Sequence, residues 1–222
     1  HAKREGIRAE WASYPSLSPQ LKQQVDAICQ AWADEKALPE MGFTLGGLRE
    51  INDSDTRLLL ALDEEERIHA VTSWMPVHSG GKVIGLTLDV MRRDDSGFRL
   101  AIDFLIGQAA LLAQDEGLQF ISLSGAPLAE SGQCEESAEL ADSHFTFAPV
   151  LDVMGSVMEP VYGFRSLLAY KKKFQVRFVP LYLAIPDIAN APAVGLAIAH
   201  AYLPNMSAAS AVGVAAKLVS RD

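Results

Sequence analysis

Four runs with the two-residue alternation of strands, at residues 43–50, 57–62, 67–75 and 82–91, follow one another with only short polar breaks between them. The breaks consist of turn formers: Asn52-Asp53-Ser54-Asp55, the acids from Asp63 to Glu66, and Ser79-Gly80-Gly81. Strands joined so tightly pair with their neighbours in opposite directions, so this segment predicts an antiparallel meander. A sheet of that kind needs an apolar cover on at least one face, and helices on both sides of it in sequence can supply one.

Ser18-Pro19 has the chemistry of a helix start, a hydroxyl to cap free backbone N–H groups followed by a ring already set for the first turn. Leu21, Val25, Ile28, Cys29 and Trp32 then recur at helical spacing, and Pro39 ends the pattern. Residues 98–115 predict a second helix, with Gly117 just past its end, and residues 119–123 a short buried strand. Helices are expected at 150–158 and 163–174, an alternating strand at 176–185 and an apolar helix at 188–203. The order is that of one compact α+β domain, and at 222 residues and 49% hydrophobic content the chain can bury a real core.

The 28 acids and 19 bases leave a formal charge of −9, which excludes a strongly basic nucleic-acid coat. Against that background, residues 165–177 stand out: Arg165, Lys171, Lys172, Lys173 and Arg177 with no acid, and with Tyr170 and Phe174 flanking the lysines. Such a run suits the phosphates of a tRNA or of a lipid head group, and equally a solvated helix face. Residues 130–142 hold five acids and no base, the pattern of a solvated loop. Cys29 and Cys134 form neither a disulfide framework nor a zinc pattern, and the longest apolar stretch, residues 193–203, is too short for a bilayer span of roughly 20 residues. The chain opens on His1 rather than methionine, as a piece cut from a longer protein would.

One cluster could carry chemistry. The last predicted meander strand ends Leu88-Asp89-Val90-Met91-Arg92-Arg93, an acid and bases at the end of a hydrophobic strand. Asp89 can hold an ammonium or take a proton, and Arg92 can hold a carbonyl oxygen or a phosphate; the same residues can also form a plain structural ion pair. Ser122 and Ser124 lack a nucleophile elbow, the five histidines are scattered, and no metal, P-loop or dinucleotide motif occurs. A meander followed by helix, strand and helix is the order of acetyltransferase-like (GNAT) folds. The turn that would bind an acyl-CoA pyrophosphate reads Arg92-Arg93-Asp94-Asp95-Ser96-Gly97-Phe98, whose adjacent aspartates repel a pyrophosphate, so acetyl-CoA is not expected as a cofactor.

Five segments together carry a family resemblance: Gly42-Phe43-Thr44-Leu45-Gly46, Leu88-Asp89-Val90-Met91-Arg92-Arg93, Ile102-Asp103-Phe104-Leu105, Ser122-Leu123-Ser124-Gly125-Ala126-Pro127-Leu128, and Tyr162-Gly163-Phe164 through Tyr170-Lys171-Lys172-Lys173-Phe174. In order and spacing the chain resembles the C-terminal catalytic domain of phosphatidylglycerol lysyltransferases. Departures lie at Ser166, Leu168 and Leu181, where that family usually has a glycine and two arginines. The resemblance implies a GNAT fold with a lead-in segment at 1–41, a catalytic lobe at 42–205 and a tail at 206–222. It implies transfer of an amino acid, lysine by default, from aminoacyl-tRNA to a hydroxyl of phosphatidylglycerol, without cofactor or metal, on the cytoplasmic face of a membrane reached through a missing N-terminal region. Asp89 and Arg92 would be catalytic, and Ser124, Arg165, Tyr170, Lys171 and Lys173 would bind substrate. A hydrolase of aminoacylated lipid and a non-catalytic lipid- or partner-binding domain are the rival readings of the same residues.

Overall fold

The computed structural model describes residues 1–35, 46–125 and 164–179, with isolated positions between 184 and 201. The chain divides into two compact units, His1–Ser124 and Gly125–Asp222.

In the first unit β1 (Arg8–Ala12) precedes α1 (Pro19–Asp34) and the single turn α2 (Leu48–Ile51). Then come β2 (Arg57–Leu62), β3 (Ile68–Ser79), β4 (Lys82–Arg93), α3 (Ala101–Asp115) and β5 (Phe120–Ser122). The sheet order is β1-β2-β3-β4-β5, antiparallel throughout except that β5 runs parallel to β4 after the α3 crossover. This mixed sheet flanked by helices is the α+β, acetyltransferase-like architecture expected.

Alternation along β2 sets the two layers. Leu58, Leu60 and Leu62 join Val25, Ile28 and Cys29 of α1 in one core, with Ile68, Val71 and Val90. Leu59 and Ala61 point the other way, and α3 packs across β2, β3, β4 and β5, burying Leu105, Ile106 and Ala109. Ser18 caps α1 as expected, its hydroxyl accepting from the Leu21 N–H at 3.3 Å. Gly117, at φ +73°, follows the end of α3.

Two expectations for this unit need correction. The run at 43–50 does not supply the first meander strand over its described part: residues 48–50 lie in α2, whose start is closed by the Glu50 carboxylate accepting from the Gly47 N–H at 2.9 Å. The first strand is instead β1, five residues in a stretch that reads as merely polar. Its strand character comes from pairing with β2, Arg8 opposite Leu62 and Ala12 opposite Leu58, some fifty residues away, rather than from its own pattern. The second helix begins at Ala101 rather than 98, and the Phe98 N–H ahead of it donates to His69 Nδ1 at 2.9 Å.

In the second unit α4 (Phe164–Lys172) falls where a helix is expected. It stops as Gln175 takes a left-handed conformation at φ 53°. Residues 176–179 form no strand, since alternation makes a strand only where a partner accepts the ladder bonds, and none does among the described residues. Ile188–Asn190 is a 3-10 turn at the start of the expected final helix, closed by Asp187 Oδ1 accepting from the Ala189 N–H at 2.9 Å. The acidic run at 130–142, the helix at 150–158, Cys134 and Leu181 lie outside the described residues.

Candidate active site

A bulge in the meander makes the site. Thr72 of β3 stands opposite Met91 of β4 and Trp74 opposite Leu88, so Ser73 alone faces two residues, Asp89 and Val90. The Ser73 hydroxyl pins the extra residue, accepting from the Val90 N–H at 2.9 Å. Thr72 and Trp74 share a face, joined by a 2.9 Å bond from the indole Nε1 to the Thr72 hydroxyl. Leu88 and Met91 therefore share that face too, although they are three apart. Their neighbours Asp89 and Arg92 turn together to the opposite face, the one α1 covers. On a regular strand the same spacing would separate them.

Asp89 is half-buried. Its Oδ1 accepts from the Gly46 N–H at 3.0 Å, while Oδ2 is sealed from solvent and accepts no hydrogen bond among the described residues. Burial pushes the carboxyl above its usual range; the Gly46 N–H pulls it back, the Glu50 charge pushes it up and the Arg92 charge draws it down. Gly46 has to be glycine here, because an added Cβ would overlap Asp89 Oδ2. Arg92 is buried, its guanidinium 3.3 Å above the ring centre of Trp32 on α1 and its Nη1 donating to the Met91 carbonyl at 2.9 Å. Such a site offers one buried acceptor short of a donor beside a cation held flat, which suits a substrate carrying an ammonium or hydroxyl and an ester or phosphate.

Of the other expected site residues, Ser124 lies in the first unit just past β5. It is exposed, in a left-handed conformation at φ 66°, with its N–H donating to the Ser122 hydroxyl at 3.1 Å. The rest belong to the second unit, on α4 and directly after it. Lys171 is buried, its ammonium donating to the Gly125 carbonyl at 2.6 Å, and burial pulls it down to about 8. Lys173 is exposed and its ammonium sits 4.6 Å from the Tyr170 ring centre, while Tyr170 and Phe174 meet edge to face at 5.6 Å. Arg165 lies in the first turn of α4.

Sequence reading named Asp89 and Arg92 but not the residues that hold them. Trp32 counted only as one more apolar position on α1, and Ser73 carried no signal, because a bulge follows from the register of two strands. Gly46 was visible only as the last letter of a motif. Among the described residues no group of three or more His, Cys, Asp or Glu could hold a metal ion, and no helix is long and apolar enough to cross a membrane.

Comparison with known proteins bears on the fold and the family. An uncharacterized protein of Corynebacterium glutamicum is 44% identical over 91% of this chain, which corresponds to 25% of that protein. The lysylphosphatidylglycerol biosynthesis bifunctional protein LysX of Mycobacterium avium is 27% identical over 91% of the chain and 17% of its own length. The chain thus spans a quarter or less of the length of these relatives. Among solved structures, L-PGS from Bacillus licheniformis shares the fold with a TM-score of 0.59 at 20% identity, over 88% of this chain and 55% of that one. A C-terminal domain of the lysylphosphatidylglycerol synthetase type from Agrobacterium fabrum does so with a TM-score of 0.65 at 20% identity, over 92% and 58%. The family model of the phosphatidylglycerol lysyltransferase C-terminal region matches residues 1–185, and the chain belongs to that family.

Proposed function

We propose that this chain is part of the catalytic region of an aminoacyl-tRNA-dependent aminoacyltransferase that esterifies a hydroxyl of phosphatidylglycerol, with lysine as the amino acid, at the cytoplasmic face of a membrane. The observation that carries the reading is the sealed Oδ2 of Asp89, without a hydrogen-bond partner among the described residues, beside the stacked guanidinium of Arg92, in a member of this family.

An aminoacyl ester is already activated, so the protein's task is placement and charge stabilisation. Oδ2 of Asp89 receives a proton donor of the substrate, either the amino acid's α-ammonium or the attacking lipid hydroxyl. Its raised proton affinity suits the second of these tasks as well as the first. Arg92 orients the ester and offsets charge on the carbonyl oxygen as the lipid oxygen adds to the carbonyl carbon. The bond to the terminal ribose of the tRNA then breaks, and the lipid hydroxyl's proton ends on that ribose oxygen. Lys173 and Arg165, in the basic run at and after α4, serve phosphate of the tRNA end or the lipid; Lys171 and Tyr170 shape that surface, and Ser124 lines the approach past β5.

The test uses the longest form of the protein, phosphatidylglycerol vesicles and a panel of radiolabelled aminoacyl-tRNAs, with label entering the lipid phase as the readout. Label from one tRNA, lost in Asp89→Asn, supports the reading and names the amino acid. No transfer from any tRNA by folded protein rejects it.

A further inference from the structure

The β3–β4 hairpin outruns its sheet. Pairing between β2 and β3 ends at Arg57 opposite Trp74, yet β3 continues to Ser79 and pairs with β4 down to Ser79 opposite Lys82. No residue from 75 to 84 is buried. The turn at its end, Gly80 and Gly81 at φ 56° and 76°, has open space around both positions. An arm of this kind, flanked only by β5 at Gly85–Thr87, normally carries polar side chains in water, because apolar area there gains nothing by folding. This one exposes Met75 by 38% and Val83 by 43%, and Phe120 at its base by 41%.

Met75, Val77 and Phe120 coincide on one face. Met75 stands opposite Thr87, and Val77 and Phe120 both stand opposite Gly85. The Phe120 ring covers the place where Gly85 has no side chain. Thr87 and Gly85 share with Asp89 the face turned away from Leu88, so the apolar arm is an extension of the site's own face. It begins at Thr87, opposite Met75 and two residues from Asp89 along β4, about 7 Å at the rise of a strand.

Charge completes the pattern. The chain carries 28 acids against 19 bases, yet residues 67–88 contain none of the acids, and Lys82 stands at the arm's end. An acidic body is held off an anionic surface, and an acid-free projection with a cation at its tip is where such a body can approach one.

We infer that the β3–β4 arm is a membrane-seating element that lays Met75, Val77 and Phe120 into the interface of a bilayer containing anionic phospholipid. This rests on the proposed function for its purpose, since it would bring a lipid head group within reach of Asp89 while the acyl chains stay in the bilayer. The binding itself can be measured without that function.

The experiment is flotation of the full chain with unilamellar vesicles of phosphatidylglycerol and phosphatidylcholine in equal parts, and with phosphatidylcholine alone. Wild type should float with the mixed vesicles and weakly or not at all with the neutral ones. The variant Met75→Asp/Val77→Asp should keep its thermal midpoint and lose about tenfold in partitioning, as expected when two apolar anchors become charges. Val77→Trp should shift its emission to the blue only with mixed vesicles. Folded wild type that does not float, a double variant that floats as well as wild type, or an arm-dependent dimer in sedimentation with no lipid binding would each overturn the inference. Transfer to detergent-dispersed phosphatidylglycerol should be unchanged in the double variant. Wild type that floats with the mixed vesicles yet transfers no label from any aminoacyl-tRNA would count against the proposed function and leave the arm standing.

Discussion

Gly46 and Asp89 fit against each other so closely that the glycine's missing side chain is a condition of the carboxylate's position: the Gly46 N–H meets Oδ1 at 3.0 Å, and a Cβ would occupy the space of Oδ2. Gly46→Ala should therefore move Asp89 and leave the rest of the sheet in place. Aminoacyl transfer to lipid should fall roughly a hundredfold, the scale of an ångström-sized misplacement. The cost in stability should be about 1–3 kcal/mol, as for overpacking. Kinetics and a urea titration on the same variant check both, and wild-type transfer by the alanine variant would remove Gly46 from the site.

Asp89→Asn separates function from stability. Because its folded proton affinity is raised, Asp89 subtracts stability as pH rises from its ordinary value of 3.8 through its folded one. The asparagine variant should be more stable than wild type at pH 7, by about 1 kcal/mol on the scale of one unsatisfied buried group, and no more stable below that ordinary value. It should have lost transfer activity. Thermal midpoints at the two pH values, beside an assay, read out each half.

The stacked guanidinium gives a third prediction. Arg92→Lys keeps the charge but cannot lie flat on Trp32, and Trp32→Ala removes the surface while leaving the charge. Both should lower transfer by tenfold or more, with the tryptophan variant also losing about 3 kcal/mol or more as a large side chain is truncated. If Trp32→Phe restores activity, the stack, rather than the indole N–H, is what holds Arg92.

Much of the meander could be read from the chain because β2, β3 and β4 have near neighbours in sequence as partners, and α1 and α3 advertise their buried faces at regular spacing. What could not be read shares one cause. β1, the bulge at Ser73 and the approach of Gly46 to Asp89 all depend on which distant segments lie side by side, and no local pattern encodes that. Asp89 and Arg92 were legible as residue types at a strand end; that they face the same way was not.

At the turn between β2 and β3, Asp63 supplies a pH-dependent tie. His69 Nδ1 accepts from the Phe98 N–H, so its Nε2 carries the proton and donates to Asp63 Oδ2 at 3.0 Å. Burial raises the Asp63 carboxyl, but the N–H of Arg67 and the His69 bond outweigh it and hold the group below its usual value. A lowered carboxyl stabilises above its unfolded value and loses that contribution as pH falls through its folded one. Asp63→Asn should flatten the fall in stability below the ordinary value of 3.8, measured by urea midpoints from neutral pH downward. An unchanged acid limb would show that the tie contributes nothing.

Lys171 runs the other way. Between about 8 and its ordinary 10.5 the unfolded chain holds a proton that the folded chain has released, so stability contributed here rises with pH across that window. Lys171→Met should abolish that rise in a series of thermal midpoints from pH 7 to pH 10.

The single extra residue opposite Ser73 also decides how the Asp89–Arg92 pair can be recognised elsewhere. Four letters of sequence on an even strand would show their acid to one side and their base to the other, so the pair works as a unit only in company with a hydroxyl on the adjoining strand. The working motif is thus a five-residue object spread over two strands, and a search for its kin that scores β4 alone would collect many impostors. Removal of Val90 would erase the bulge and leave the acid and the base two apart on an even strand, on one face without the Ser73 tie.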